Sequence, residues 1–126
     1  MTIASETDRA LARLAADRAA TASRLAALES GFAGMVAASE GSNADDEHDP
    51  EGSTIAYERS QLAALVAQAQ AHLVEIDGAS ERIAVGNYGR CTVCGREIPG
   101  GRLEARPTAS TCVGCAAGEH GRGGRR

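Results

Sequence analysis

The sequence has no Trp, one Phe and two Tyr among 126 residues, which excludes a thick globular core built on aromatic side chains. Ala is abundant instead, and Ala suits closely packed helices. No apolar run approaches the ~18 residues needed to span a bilayer. Met1 to Ala20 also lacks the basic start and apolar stretch of an export signal. The expectation is a cytoplasmic chain with no membrane partner. Basic charge is also scarce: the formal net charge of −4 argues against bulk phosphate binding as the main task, because duplex binders carry a basic excess or a concentrated basic face.

The distribution of charge says more than its total. Residues 1–88 hold fourteen acidic groups against six Arg, whereas residues 89–126 hold three against seven. An acidic arm is therefore joined to a basic end, and the two ends suit different surfaces.

From Ser5 to Ala38 there is no Pro, and no Gly before Gly31. Leu11, Leu14, Leu25, Leu28, Phe32 and Met35 recur at steps of three and four, the period of a helix with one apolar stripe. They also fit a heptad, with Leu11, Arg18, Leu25 and Phe32 in one column and Leu14, Thr21, Leu28 and Met35 in the other. A second stripe runs through Ile55, Leu62, Leu65, Val66, Ala69, Leu73, Ile76 and Ile83, five of which keep strict seven-residue spacing. Between the two, residues 39–54 combine turn formers with acids and show no apolar period. Asp49 and Pro50 suit a helix cap and first helical position, with Ser53 or Thr54 as the alternative cap. Neither stripe is buried by one helix alone. The expected fold is mainly α: an antiparallel coiled-coil helical hairpin over residues 1–85, with an acidic tip at about 40–54 and arms reaching roughly 45 Å. An ordinary small helical bundle is the competing architecture.

Beyond Gly86 the periodicity stops, and Gly and Arg become frequent. Cys91-Thr-Val-Cys94 and Cys112-Val-Gly-Cys115 stand seventeen residues apart, a spacing that points to a tetrathiolate metal site. Two residues between thiolates let one tight knuckle place both sulfurs on a single ion. Four thiolates close a tetrahedron around zinc and leave no position for water or substrate, so one structural Zn²⁺ is expected. A redox pair at Cys91 and Cys94 needs neither the second pair nor this spacing, and two disulfides would suit a secreted chain. The zinc module is expected over residues 86–118, followed by a flexible Gly/Arg tail over 119–126. His48, His72 and His120 are not needed as ligands.

The run from Asn87 through Cys91, Cys94, Ile98, Arg102-Leu-Glu-Ala-Arg106-Pro107 and Cys112 to Cys115 resembles the C4 zinc finger of the DksA/TraR family, and the preceding hairpin is similar to that family's coiled coil. The resemblance implies a non-enzymatic transcription regulator that binds bacterial RNA polymerase without sequence-specific DNA recognition. It also implies that the coiled coil enters the secondary channel, its tip approaching the active site, and that the alarmone ppGpp is a ligand at the interface. On that basis Asp45, Asp46, Asp49 and Glu51 are candidate tip residues, and Arg90, Arg96, Arg102 and Arg106 are candidate polymerase contacts at the base. The family's tip typically reads Asp-Pro-x-Asp-Arg-Ala. Here it reads Asp49-Pro-Glu-Gly-Ser-Thr54, so only the first Asp is matched.

Two other functions compete at this stage. The finger and Arg-rich tail suit a nucleic-acid-binding zinc module with the hairpin as a dimerisation element. Alternatively, Asp45, Asp46 and Asp49 would hold Mg²⁺ near a polymerase active site, in the manner of transcript-cleavage factors.

Overall fold

The computed structural model describes residues 3–41 and 50–118. Asp45, Asp46 and Asp49 of the expected tip, and the tail over 119–126, lie outside the described residues. The fold is mainly helical, with two long helices, α1 (Ile3–Gly41) and α2 (Pro50–Val85), followed by two short ones, α3 (Gly100–Ala105) and α4 (Val113–Ala116). Among the described residues there is no strand. A single antiparallel bridge joins Arg90 and Glu97.

Helix α2 starts at Pro50, where the fixed φ of Pro and its missing N–H cost nothing. Gly52 lies inside the first turns. Its penalty of about 1 kcal/mol relative to Ala is small against a helix of 36 residues. Glu51 falls in this first turn.

The chain divides into two compact units, Met1–Arg18 with Val74–Arg126, and Ala19–Leu73. In the second unit Thr21 and Ala69 are buried, while Leu25, Leu28, Phe32, Met35, Ile55, Leu62 and Val66 are half-buried. Gly31 faces Leu62: a Cβ added there would sit 3.8 Å from a Leu62 methyl. In the first unit Ala10, Leu14, Ile76 and Ala79 form the buried seam, and Arg18 pairs with Asp77. Arg18 thus lies beside a residue late in α2 and Gly31 beside one earlier in α2, the antiparallel order of a helical hairpin.

The two heptad columns of α1 are not equivalent. Leu14 and Thr21 go inside, whereas Leu11 and Arg18 of the other column are exposed. Burying the Arg18 charge would cost far more than burying the Thr21 hydroxyl, so the helix turns its Leu14–Thr21 side inward. Arg18 is left to an exposed ion pair worth at most about 1 kcal/mol.

Candidate metal centre

Helix α2 ends where the backbone turns left-handed at Gly86, φ +83°. The amides of Gly86 and Asn87 close back onto the carbonyls of Ile83 and Arg82 at 3.2 and 2.8 Å, satisfying the last carbonyls of the helix. A narrow hairpin follows. Cys91 N–H donates to the Arg96 carbonyl at 2.8 Å, and Ile98 N–H to the Gly89 carbonyl at 2.7 Å. Gly89 (φ +87°) allows that approach, because a Cβ there would meet a Leu103 methyl at 3.4 Å.

At the hairpin tip, Cys91-Thr-Val-Cys94 folds into a knuckle. The amides of Val93 and Cys94 point at the Cys91 sulfur from 3.4 and 3.5 Å, and Gly95 (φ +78°) returns the chain. The second pair is built on a helix start instead. Cys112 is the N-cap of α4, its sulfur accepting from the Cys115 amide at 3.5 Å.

All four Sγ atoms lie within 4.8 Å of one another, and among the described residues they are the sole cluster of metal-ligating side chains. The Cys94 and Cys112 sulfurs stand 3.9 Å apart. A tetrahedron with Zn–S bonds of about 2.3 Å has edges of about 3.8 Å, so the sulfurs already stand near the spacing that zinc requires. Burial opposes charge on Cys91, but the amides of Cys94, Cys112 and Val93 and the Cys115 thiol outweigh it and bring the Cys91 thiol down to about 6. Burial and the neighbouring thiols push Cys115 up to about 12. Four crowded sulfurs thus hold protons unequally, and a dication that takes all four as thiolates relieves the conflict. The site is one for a single structural Zn²⁺. Cys91, Ile98 and Cys112 are buried around it, with Leu103 and Cys115 packed against them.

The segment that carries the chain into the second knuckle is held by its carbonyls. Tyr88 Oη donates to Pro107 O at 2.7 Å, and Arg82 to Thr108 O at 3.3 Å. Thr92 N–H donates to Ser110 O at 2.8 Å, and Arg102 Nε to Thr111 O at 2.9 Å. Burial pushes the Tyr88 phenol up against the opposing influence of Arg13 and Arg82, so it remains a protonated donor. These bonds link the end of α2 and both knuckles to one strap over residues 107–111.

The four candidate base arginines fall in different settings. Arg90, Arg96 and Arg106 are exposed, and Arg90 also donates to the Gly95 carbonyl at 3.0 Å. Arg102 is half-buried and engaged by the strap. With Arg82 and Arg106 it borders a groove of about 490 Å³ that Val74, Glu75 and Thr108 also line. The contributions of Tyr88 and Arg82 to this strap were not evident from the sequence, because both act on backbone carbonyls, which no side-chain pattern reveals.

Residues 86–119 match the prokaryotic dksA/traR C4-type zinc finger. The segment that carries the four cysteines is thus a zinc finger of the DksA/TraR C4 type. Curated proteins resemble parts of the chain. YteA of Bacillus subtilis is 44% identical over 66 residues, 52% of this chain and 28% of that protein. The RNA polymerase-binding transcription factor DksA of Haemophilus influenzae is 42% identical over 41 residues, 32% of this chain and 28% of that protein. The matched segments thus span less than a third of these relatives. The fold is similar to that of transcription factor DksA2 from Pseudomonas aeruginosa, with a TM-score of 0.75, 23% identity, and coverage of 94% of this chain and 85% of that one.

Proposed function

We propose that this chain is a non-enzymatic transcription regulator that works in the cytoplasm by binding bacterial RNA polymerase. The observations that carry the reading are the DksA/TraR-type finger and a match of 41 residues at 42% identity to a protein named for polymerase binding. The helical hairpin, a fold shared with a transcription factor, supports it. In this reading the hairpin enters the secondary channel and brings Asp45, Asp46, Asp49 and Glu51 toward the active site, where negative charge acts on the cation-rich catalytic centre. Arg90, Arg96 and Arg106 offer exposed positive charge for the polymerase surface. Arg102 contributes mainly by holding the strap.

The alarmone ppGpp belongs to the same reading. The groove bordered by Arg82, Arg102 and Arg106 supplies cationic partners for a polyphosphate, and Glu75 opposes them.

Shortening the hairpin tests the channel-entry part. Removing about seven residues from each arm shortens its reach by about 10 Å and leaves the finger intact. Capture of core polymerase is expected to fall at least about tenfold, or about 1.4 kcal/mol, with zinc content unchanged. Capture equal to that of the full-length chain would rule out channel entry.

A further inference from the structure

The two cysteine pairs are held by different means. Around Cys91 and Cys94 the ties are local. Cys91 N–H donates to Arg96 O at 2.8 Å, Gly95 N–H to Cys91 O at 3.0 Å and Ile98 N–H to Gly89 O at 2.7 Å. The Arg90 guanidinium adds a bond to Gly95 O, five residues on. Contacts between residues so near in sequence cost little chain entropy to close, so this knuckle is ordered largely by its own hairpin.

Cys112 and Cys115 have less support of their own. Helix α4, which carries them, is a single turn, Val113–Ala116 with Cys112 as its cap, and one turn is unstable in isolation. Cys112 enters that turn directly from the strap. The strap's carbonyls accept from Arg82, 26 residues back, from Tyr88, 19 back, and from Arg102, nine back. Arg102 acts closest to the thiolates: its Nε donates at 2.9 Å to the carbonyl of Thr111, the residue that precedes Cys112. Arg102 is half-buried on α3, where the adjacent Leu103 packs against the cysteine cluster. The second pair is therefore positioned from outside itself.

Exposure alone points the other way. Cys94 is exposed, whereas Cys115 is half-buried and Cys112 is buried. A reagent limited only by access would meet Cys94 first. The anchoring of the two pairs gives the opposite order, because the pair held by distant partners is the one that local opening frees at least cost.

We propose that the tetrathiolate opens from its Cys112–Cys115 side, and that Arg102 is the positioning residue that sets how long that side stays closed. Each sulfur that leaves the metal keeps its electron pair and takes a proton from water, while a donor atom of a competing chelator fills its place on zinc. Cys91 and Cys94 let go last. The inference concerns the finger's own metal chemistry and stands independently of polymerase binding.

The test follows zinc transfer from the full, zinc-loaded chain to EDTA. Pulses of iodoacetamide trap the freed thiolates, mass spectrometry assigns the labelled cysteines, and zinc retained on the desalted chain gives the release rate. Label is expected on Cys112 and Cys115 before Cys91 and Cys94. First label on Cys94, or on all four cysteines in step, would overturn the order of opening. Two variants test Arg102. Arg102→Gln keeps an N–H donor at the place along the side chain where Nε stood but drops the charge, whereas Arg102→Met drops both. Loss of an outer hydrogen-bond partner costs about 10–100-fold in metal affinity, so Arg102→Met should release zinc at least about tenfold faster, with Arg102→Gln within about threefold of the unsubstituted chain. Zinc stoichiometry and helical circular dichroism before transfer are the fold controls. Failure of Arg102→Met to retain zinc, with its helices intact and Arg102→Gln loaded, is the same result in its extreme form. Equal acceleration in both variants would assign the effect to guanidinium charge, and equal rates in all three chains would leave Arg102 no part in it. Either outcome would overturn its positioning role.

Discussion

Removing zinc is expected to unfold the finger and leave much of the long-helix content in place. The finger's buried residues are Cys91, Ile98, Cys112, Thr108 and Ala109, far too little apolar area to offset the ordering of more than thirty residues. Structural zinc in comparable small modules contributes about 10–16 kcal/mol of apparent binding energy at neutral pH, and here that energy is folding energy. A strong chelator should therefore abolish the dispersion of finger amide resonances, including those of Thr92 and Ile98, whose hydrogen bonds hold the ribbon. Cys112→Ser should have the same effect without chelator, since Cys112 is both a ligand and the N-cap of α4. The strap makes the consequence wider. Tyr88 and Arg82 lose their carbonyl partners once residues 107–111 are released, so protection at the C-terminal end of α2 should also fall. A finger spectrum unchanged by chelation would refute the structural role of the metal.

Truncating the hairpin seam is expected to have the second largest effect. Leu14 and Ile76 are each 1% exposed, and replacing either with Ala should cost about 2–5 kcal/mol through lost transfer energy and the cavity left behind. Against a total stability of about 5–15 kcal/mol for a domain of this size, either change should shift urea unfolding markedly. Val74→Ala, at a side chain 70% exposed on the same helix, should stay within about 0.5 kcal/mol. Similar costs at Leu14 and Val74 would mean that the buried seam is assigned to the wrong side of the helices.

Much of this arrangement was legible in the sequence, for identifiable reasons. Apolar steps of three and four mark helices because the backbone period is local, and Pro50 marks a helix start for the same reason. The paired Cys-x2-Cys spacing encodes the metal site because two thiolates on one ion demand a tight turn. Which heptad column faces inward was less legible: Leu11 and Leu14 are chemically alike, and the choice depends on Arg18 and Thr21 one heptad further on. Helix α3 was hidden by Pro99-Gly-Gly101, which reads as a turn, although Arg102-Leu-Glu-Ala105 are good helix formers. The strap left no trace in side-chain pattern because its acceptors are carbonyls.

The acidic tip is where function is placed by the polymerase reading, and the finger is where the family is recognised. A competition measurement joins the two. Core polymerase is mixed with a labelled transcript-cleavage factor that occupies the secondary channel, and the zinc-loaded chain is titrated in. The account predicts stoichiometric displacement of the labelled factor, with the Cys112→Ser variant displacing it far more weakly. Simultaneous binding of both proteins, or no association of this chain with polymerase at micromolar concentration, would contradict it.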